Sequence, residues 1–462
     1  MVEPEARRFV TPPDLRGCSV VVVGIGKSGV AASHLLHSVG AQVTIVDEKD
    51  ESVLVNQIAS LRQDAIRVLT GIALQDALHD VDLVVLSPGV PTDHPALTTV
   101  RDCGVRIIGE IELASWFFDV PLIAVTGTNG KSTTVRLIGA ILEESGKKAF
   151  VGGNVGVPLC EAVLPPSASV WPQRLSTSSY EYVIAEVSSF QLETIEQFHP
   201  WISVLLNITP DHLDRHPSLS HYQASKQKVF QNQTVGDVAV LNVDDPIIAG
   251  MGEALSGTVI GFSLVRSLQQ GVYLQGHEIK ARLNDLETVV VTKDQIRLPG
   301  NHNVANVLAA VAIGMLCGCP LEAIRRAVST FPGLEHAMEF VREVRGVKYF
   351  NDSKGTNVDA TGKALESFEE PILLILGGKD KGGDFNSLRD LVRRKVKRVF
   401  VIGEATPRLV RVLNEVKPIS LAGSLSEAIT LADREADAGD VVLLSPACAI
   451  FDMFRNYDER GK

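Results

Sequence analysis

The octapeptide Thr126-Gly127-Thr128-Asn129-Gly130-Lys131-Ser132-Thr133 follows the apolar run 122–125 and precedes a stretch of helical period. An apolar strand that turns through glycines into a helix is the build of a phosphate loop, and it commits the surrounding chain to an α/β sheet of parallel strands. Backbone N–H groups of Gly127, Thr128, Asn129 and Gly130 would cradle an anion at the helix N-terminus, where the dipole favours negative charge. Lys131 would neutralise the β and γ oxygens, and Ser132 or Thr133 would reach magnesium. The strict G-x-x-x-x-G-K-[ST] form is not met, because Val125 stands where its first glycine belongs. The reading is an ATP site.

A second glycine loop, Gly24-Ile25-Gly26-Lys27-Ser28-Gly29, lies between a strand and a helix, with Asp47 ending the next strand. An acidic residue about 20 positions after such a loop completes a dinucleotide fingerprint. The same geometry suits any nucleotide diphosphate, so a nicotinamide or flavin dehydrogenase and other nucleotide ligands both stand at this point.

Short Val/Ile/Leu runs, each followed by a helix-period stretch, recur along the whole chain. With 462 residues, about three domains are expected. The first groups strands at 19–23, 43–46 and 83–86 with a helix at 30–39, and closes near 107–109. The second has strands at 122–125, 182–186, 202–207 and 238–243 and a helix from Asn303, and leaves through Phe331-Pro332-Gly333. The third has strands at 347–350, 372–376, 398–402 and 441–444. The resulting expectation is three α/β domains at 1–109, 110–333 and 334–462: N-terminal Rossmann-like, central P-loop-type mononucleotide-binding, and C-terminal Rossmann-like. The Pro- and Ser-rich segment 164–179 reads as a surface loop.

A formal charge of -11 excludes a general nucleic-acid binder, since a phosphate backbone would be repelled. Small anionic substrates need only a local cluster of cations. The six cysteines form no C-x-x-C pair, which argues against a disulfide framework or a zinc site. No apolar run reaches the ~18 residues of a membrane span, and the mixed-charge N-terminus lacks a signal-peptide core. A cytoplasmic protein with no membrane or nucleic-acid partner is expected, with monomer as the default.

Behind the phosphate loop stand three polar clusters, Glu186 at a strand end, 207–214 with Asp211 and His212, and Lys226 on a helix. Singly, each reads as a cap, an ion pair or solvated loop. In order behind one loop they read as one site, with Glu186 suited to magnesium.

The stretches 126–133, 152–156, 186–192, 207–215, 300–306 and 445–448 together resemble the Mur ligase family over nearly the whole chain. Within it, Asn351-Asp352-Ser353-Lys354-Gly355-Thr356-Asn357 resembles the D-glutamate-adding members. The resemblance implies that Lys131, Ser132 and Thr133 hold the triphosphate and magnesium, with Glu186 and His212 as metal ligands or their partners. Two magnesium ions are implied, the second supported by Lys226 if that amine is carboxylated. Asn303 and Asn306 would contact adenine, with His336 and Asp352 on the ATP side of the interdomain cleft. Asn154 would contact the muramoyl substrate, and Lys354, Thr356 and Lys381 would hold the D-glutamate carboxylates. Lys27, Ser28, Asp47, Glu48, Lys49, Ser87 and Gly89 would hold the uridine diphosphate, which reassigns the N-terminal glycine loop.

The implied activity is ATP-dependent ligation of D-glutamate to UDP-N-acetylmuramoyl-L-alanine through an acyl phosphate, in cytoplasmic peptidoglycan precursor synthesis. The chain departs from the family at Ala337, where an arginine is usual, and at Ile450, where a serine is usual. A hydroxyl hydrogen bond contributes roughly 0.5 to 1.5 kcal/mol, whereas a lysine–carboxylate pair near 4 Å is worth about 4 kcal/mol at an effective dielectric near 20. The lysines therefore dominate D-glutamate binding. A folylpolyglutamate synthase, a Mur-type ligase of other amino-acid specificity, and a degenerate paralogue that binds without turnover are the competing readings.

Overall fold

Runs such as Ser-Val-Val-Val-Val at 19–23 and Val-Val-Leu-Leu at 441–444 are apolar on both faces, as strands covered by helices on both sides must be. The computed structural model describes residues 11–164, 177, 179–213, 215–450, 453, 454 and 456–462. Most of the segment expected as a surface loop, 164–179, lies outside the described residues.

Three sheets form in chain order. The first is five-stranded and wholly parallel, in the spatial order Arg67–Thr70, Gln42–Asp47, Ser19–Val23, Leu83–Leu86, Arg106–Gly109. The second is nine-stranded. Its parallel part runs from the edge strand Ala149–Gly153 through Tyr182–Glu186, Leu122–Thr126, Ile202–Leu205, Val238–Asn242 and Thr258–Ser263 to Gly271–Gln275. Two further strands, Glu278–Leu283 and Leu286–Thr292, extend it as antiparallel hairpins. The third sheet is six-stranded and parallel except for the hairpin of Glu339–Val344 with Val347–Asn351. The antiparallel pairs are a correction to the wholly parallel expectation. Their turns explain them, because Asn284 and Asp285 have φ of 51° and 62° and Arg345 and Gly346 have 53° and 78°. Two successive left-handed residues make one kind of tight hairpin turn, and the remaining pair, Gly271–Gln275 with Glu278–Leu283, turns on a single one, Gly276 at φ 62°.

The units are joined unequally. One apolar cluster runs from Val20, Ile45 and Leu83 of the first sheet into Leu122, Val183 and Leu205 of the second. The third unit has cores of its own, around Leu374 and Val399 on one face and Phe400 and Val442 on the other. It meets the central unit largely through polar groups. Asn357 Nδ2 donates to Asp211 Oδ2 at 3.0 Å, Lys381 Nζ to Asp211 Oδ1 at 3.3 Å, and Asn129 Nδ2 to Asp359 Oδ2 at 2.7 Å. Polar contacts are exchanged for water at little net cost, whereas opening an apolar core is not, so the C-terminal unit is held to the rest by the contacts that water replaces most readily.

The connecting helix Glu110–Ser115 carries two buried carboxylates with opposite surroundings. Glu112 is fully satisfied: Trp116 Nε1 and the backbone N–H groups of Glu196, Gln197 and Phe198 all donate to it at 2.8–2.9 Å. Glu110 accepts from Cys160 N at 2.7 Å, while its Oε2 has no partner among the described residues. Burial pushes the Glu110 carboxyl up to about 7. Between the ordinary carboxylate value and that value the folded chain keeps a proton the unfolded chain has released, so stability falls as pH rises through this window and levels off above it. Glu110→Gln should therefore gain on the parent chain by about 2 kcal/mol between pH 5 and pH 8, read by denaturant unfolding. A pH-independent difference would show that Glu110 is ionised throughout.

Candidate active site

Strand Leu122–Thr126 lies between Tyr182–Glu186 and Ile202–Leu205, with later strands running outward on each side, so its C-terminal end is the switch point where open α/β sheets bind ligands. The phosphate loop leaves there and enters the helix Lys131–Glu144. Gly130, at φ 87°, has no alternative: a Cβ would lie 2.2 Å from Asn306 Oδ1. Asn207, just past the neighbouring strand, braces the loop, accepting from Asn129 N at 2.8 Å and donating to Asn129 O at 3.0 Å. The Thr128 hydroxyl is spent on the scaffold, donating to Thr209 O at 3.1 Å and accepting from Tyr222 Oη at 3.2 Å.

The two chemistry-bearing ends of the loop face one another. Lys131 Nζ donates to Gly127 O and Thr128 O at 2.9 and 2.8 Å. Ser132 Oγ donates to Glu186 Oε2 at 2.6 Å, and Asn154 Nδ2 donates to Glu186 Oε1 at 3.1 Å. Lys226 is fully buried, donates to Gly127 O at 2.8 Å and lies 4.5 Å above the Tyr222 ring.

These groups open into a cavity of about 610 Å³ between the central and C-terminal units. Thr128, Asn129, Gly130, Lys131, Ser132 and Thr133 form its floor, with Asn154, Glu186, His212 and Lys226 beside them. Asn303 and Asn306 reach it from the helix Asn301–Leu316, near the apolar Phe262 and Leu264. The C-terminal unit supplies Asp352, Lys354 and Thr356. His212 holds a left-handed backbone, at φ 55°, a conformation that costs energy and concentrates at functional sites.

Burial depresses the Lys131 and Lys354 amines, and Lys226, with Lys131 beside it, is held well below the usual lysine range. Burial raises the Asp352 carboxyl to about 7, against the hydrogen bond it takes from Ser445. Burial would raise Asp211 too, but Lys381, His212 and Asn357 hold it below the usual carboxylate range. Crowded, desolvated amines that repel one another are a site awaiting anions.

Among the described residues no group of three His, Cys, Asp or Glu side chains could hold a metal ion alone. The contacting pair Ser132 and Glu186 suits magnesium nonetheless, because that ion takes one or two protein oxygens and completes its shell with phosphate and water.

Some expected residues stand elsewhere. His336 is buried behind the wall, its Nδ1 2.9 Å from Asn351 Nδ2, and its Nε2 has no partner among the described residues. Lys381 is paired with Asp211 rather than open to the cavity. Lys27, Ser28, Asp47, Glu48, Lys49, Ser87 and Gly89, expected at the uridine end, lie at or beside the N-terminal glycine loop and outside this cavity. There Asp47 Oδ2 accepts from Ile25 N at 2.9 Å, Asp47 Oδ1 from Lys49 N at 3.0 Å, and Ser87 Oγ donates to Gly24 O at 2.9 Å. The structure also brings in residues not expected from sequence: Asn357, Lys363 and Tyr457 line the cavity, and buried Arg460 donates to Ser353 O at 2.7 Å. The spacing of Asp359 and Lys363, four residues apart at a helix start, was a readable signal.

Three family models match the chain in order: "Mur ligase MurD-like, N-terminal domain" over residues 18–109, "Mur ligase middle domain" over 125–314 and "Mur ligase, glutamate ligase domain" over 336–448. The chain is 43% identical over 454 residues to the UDP-N-acetylmuramoylalanine--D-glutamate ligase of Syntrophus aciditrophicus, covering 97% of each. It is 44% identical over 449 residues to the ligase of the same name from Koribacter versatilis, covering 97% of this chain and 96% of that one. Among solved structures, the UDP-N-acetylmuramate-alanine ligase MurC of Thermotoga maritima superposes with a TM-score of 0.57 at 21% identity, covering 93% of this chain and 96% of that one. MurF ligase from Thermotoga maritima in complex with ADP gives 0.55 at 16% identity, covering 95% and 93%. These two share the fold. Matched by three of its domain models and by relatives at more than 40% identity along nearly their whole length, the chain belongs to the Mur ligase family.

Proposed function

We propose that the chain ligates D-glutamate to UDP-N-acetylmuramoyl-L-alanine at the expense of ATP. The observation that carries this reading is one cavity with a phosphate loop and Ser132–Glu186 on the central wall and the cations Lys354 and Lys363 on the C-terminal wall. Such a cavity gives a triphosphate, a carboxylate and an incoming dicarboxylic amino acid a common place to meet.

The terminal carboxylate of the L-alanyl group attacks the γ-phosphorus. The bond from that phosphorus to the β-γ bridging oxygen breaks, and ADP leaves with the electron pair. Lys131 shifts from the carbonyls of Gly127 and Thr128 to the phosphate oxygens, which offer it a stronger, charge-assisted bond. Ser132 and Glu186 are where magnesium would be held, with Thr133 adjoining, and its charge would offset that of the phosphates. The neutral amine of D-glutamate then attacks the acyl carbon, phosphate departs with the C–O electrons, and His212, beside Asp211, accepts the amine proton. Lys354 and Thr356 face the amino acid's carboxylates. Lys226, buried beside Lys131 with its amine held well below the usual lysine range, is the residue that would support a second magnesium if that amine were carboxylated. Swinging of the C-terminal unit closes the cavity and keeps water from the acyl phosphate. The residues gathered at the N-terminal glycine loop hold the uridine diphosphate. No helix among the described residues is long and apolar enough to cross a membrane.

The test is phosphate release from ATP in the presence of UDP-N-acetylmuramoyl-L-alanine and a panel of amino acids. D-glutamate should support turnover at least a hundredfold better than L-alanine or L-lysine, which lack the second carboxylate and leave a cation of the C-terminal wall unpaired, and better than meso-diaminopimelate, whose longer side chain brings a second ammonium against those cations. Turnover with one of the others and none with D-glutamate would overturn the specificity.

A further inference from the structure

The helix Val358–Glu366 of the C-terminal unit lies along the cavity from end to end. At its start Asn357 caps it, accepting from Ala360 N at 2.8 Å, and its amide donates to Asn129 Oδ1 of the phosphate loop at 3.0 Å. At its far end Ser367 packs on Gly300, so closely that a Cβ on Gly300 would fall 2.2 Å from Ser367 Oγ. Between these points Ala360, Lys363 and Glu366, spaced by three, face the cavity. The helix therefore spans the channel from the phosphate loop to the start of the helix that carries Asn303 and Asn306.

Lys363 is the cation on that face. Asp359 Oδ2 accepts from Lys363 Nζ at 2.7 Å, from Asn129 Nδ2 at 2.7 Å and from Thr209 Oγ1 at 3.2 Å. One carboxylate oxygen thus links the lysine of one unit to the phosphate loop of another, and the ammonium stands two short hydrogen bonds from the loop amide. A surface i,i+4 pair is worth little and would need no third and fourth partner. Here the pair is only about a quarter exposed, at 26% and 27%. The lysine is one of the residues that line the channel. Across from it, burial keeps the His302 imidazole low, at about 4, so that ring is neutral and Lys363 meets no competing cation there.

We propose that Lys363 is a phosphate-binding residue for the nucleotide, brought to the phosphate loop by the C-terminal unit and aimed by Asp359. The inference rests on the ATP-dependent reading above and adds a cation that only the closed arrangement supplies. A nucleotide seated in the loop passes beneath the helix, and the flexible lysine exchanges its bond to Asp359 for a phosphate oxygen near the ribose end. Asp359, bound to Asn129 and Thr209, stays as the positioning residue. Nucleotide occupancy and docking of the C-terminal unit then favour one another.

The experiment uses the full chain and the variants Lys363→Met, Lys363→Arg and Asp359→Asn. Binding of ADP and ATP is measured by calorimetry and that of adenosine by competition, with melting temperatures recorded alongside. Lys363→Met should weaken ADP and ATP about tenfold, the scale of one charge-assisted hydrogen bond in a partly exposed site, and leave adenosine unchanged. Lys363→Arg should recover most of the loss, and Asp359→Asn should lose about threefold. In turnover, Lys363→Met should raise the KM for ATP and not that for D-glutamate. Wild-type ADP affinity in Lys363→Met would overturn the proposal, as would an equal loss for adenosine, which marks a packing defect. A parent chain that binds ADP but never ligates would sink the ligase reading and leave this inference standing.

Discussion

Replacing Lys131 with alanine should lower kcat/KM for ATP about a thousandfold and leave the melting temperature within a few degrees of the parent. The loss is the scale seen when one preorganised donor is removed from a developing charge in a water-poor site. Lys131 carries that weight because its ammonium is desolvated and already held at the loop, at 2.9 and 2.8 Å from the carbonyls of Gly127 and Thr128. When phosphate arrives the ammonium need only exchange those two carbonyls for phosphate oxygens. The fold does not depend on it, since the loop is braced independently by Asn207 and by Thr128 with Tyr222. Arginine at this position should recover little, because a planar guanidinium cannot occupy a niche shaped for a compact ammonium at a helix start. Turnover near the parent rate in Lys131→Ala would remove the phosphate loop from the chemistry.

The largest effect on stability is expected far from the reacting groups. Glu112→Ala should destabilise the chain by about 3 to 5 kcal/mol, because it strands an indole N–H and three successive backbone N–H groups that all donate to one buried carboxylate. Water cannot replace the lost acceptor, since the residue is fully buried. That carboxylate ties the connecting helix to the segment 196–198 and so fixes the first unit on the second. Glu112→Gln keeps one good acceptor and should lose less. Denaturant unfolding reads both, and a change below about 1 kcal/mol for Glu112→Ala would show that the apolar cluster alone sets the arrangement.

The parallel strands were legible because runs such as 19–23 and 441–444 are apolar throughout, and the phosphate loop because its residue types admit few other uses. The chain's family was legible from the order of its motifs. The strands 278–283 and 286–292 were not read, since the first alternates polar and apolar residues and the second, at the sheet edge, has an apolar run of only three, Val289 to Val291. Their turn at Asn284-Asp285 was the available sign. The expected placement of His336 on the cavity wall did not follow from its neighbours in sequence. A left-handed backbone, at φ 63°, and packing against Gly461 at the far end of the chain turn the ring inward. Likewise Lys381 could not be known to pair with Asp211, 170 positions away, before the third unit was seen docked on the second. Contacts between units are set by docking, which local pattern does not encode.

In the proposed reaction the alanyl carboxyl is activated by phosphorylation before the amine attacks. UDP-N-acetylmuramoyl-L-alanine labelled with oxygen-18 in both carboxyl oxygens, incubated with ATP, D-glutamate and magnesium, tests it in one step by mass analysis of the released phosphate. Attack of that carboxylate on the γ-phosphorus predicts one heavy oxygen in every phosphate formed and one retained in the new amide. Unlabelled phosphate accompanying amide formation would contradict the account, and so would amide formation without ADP.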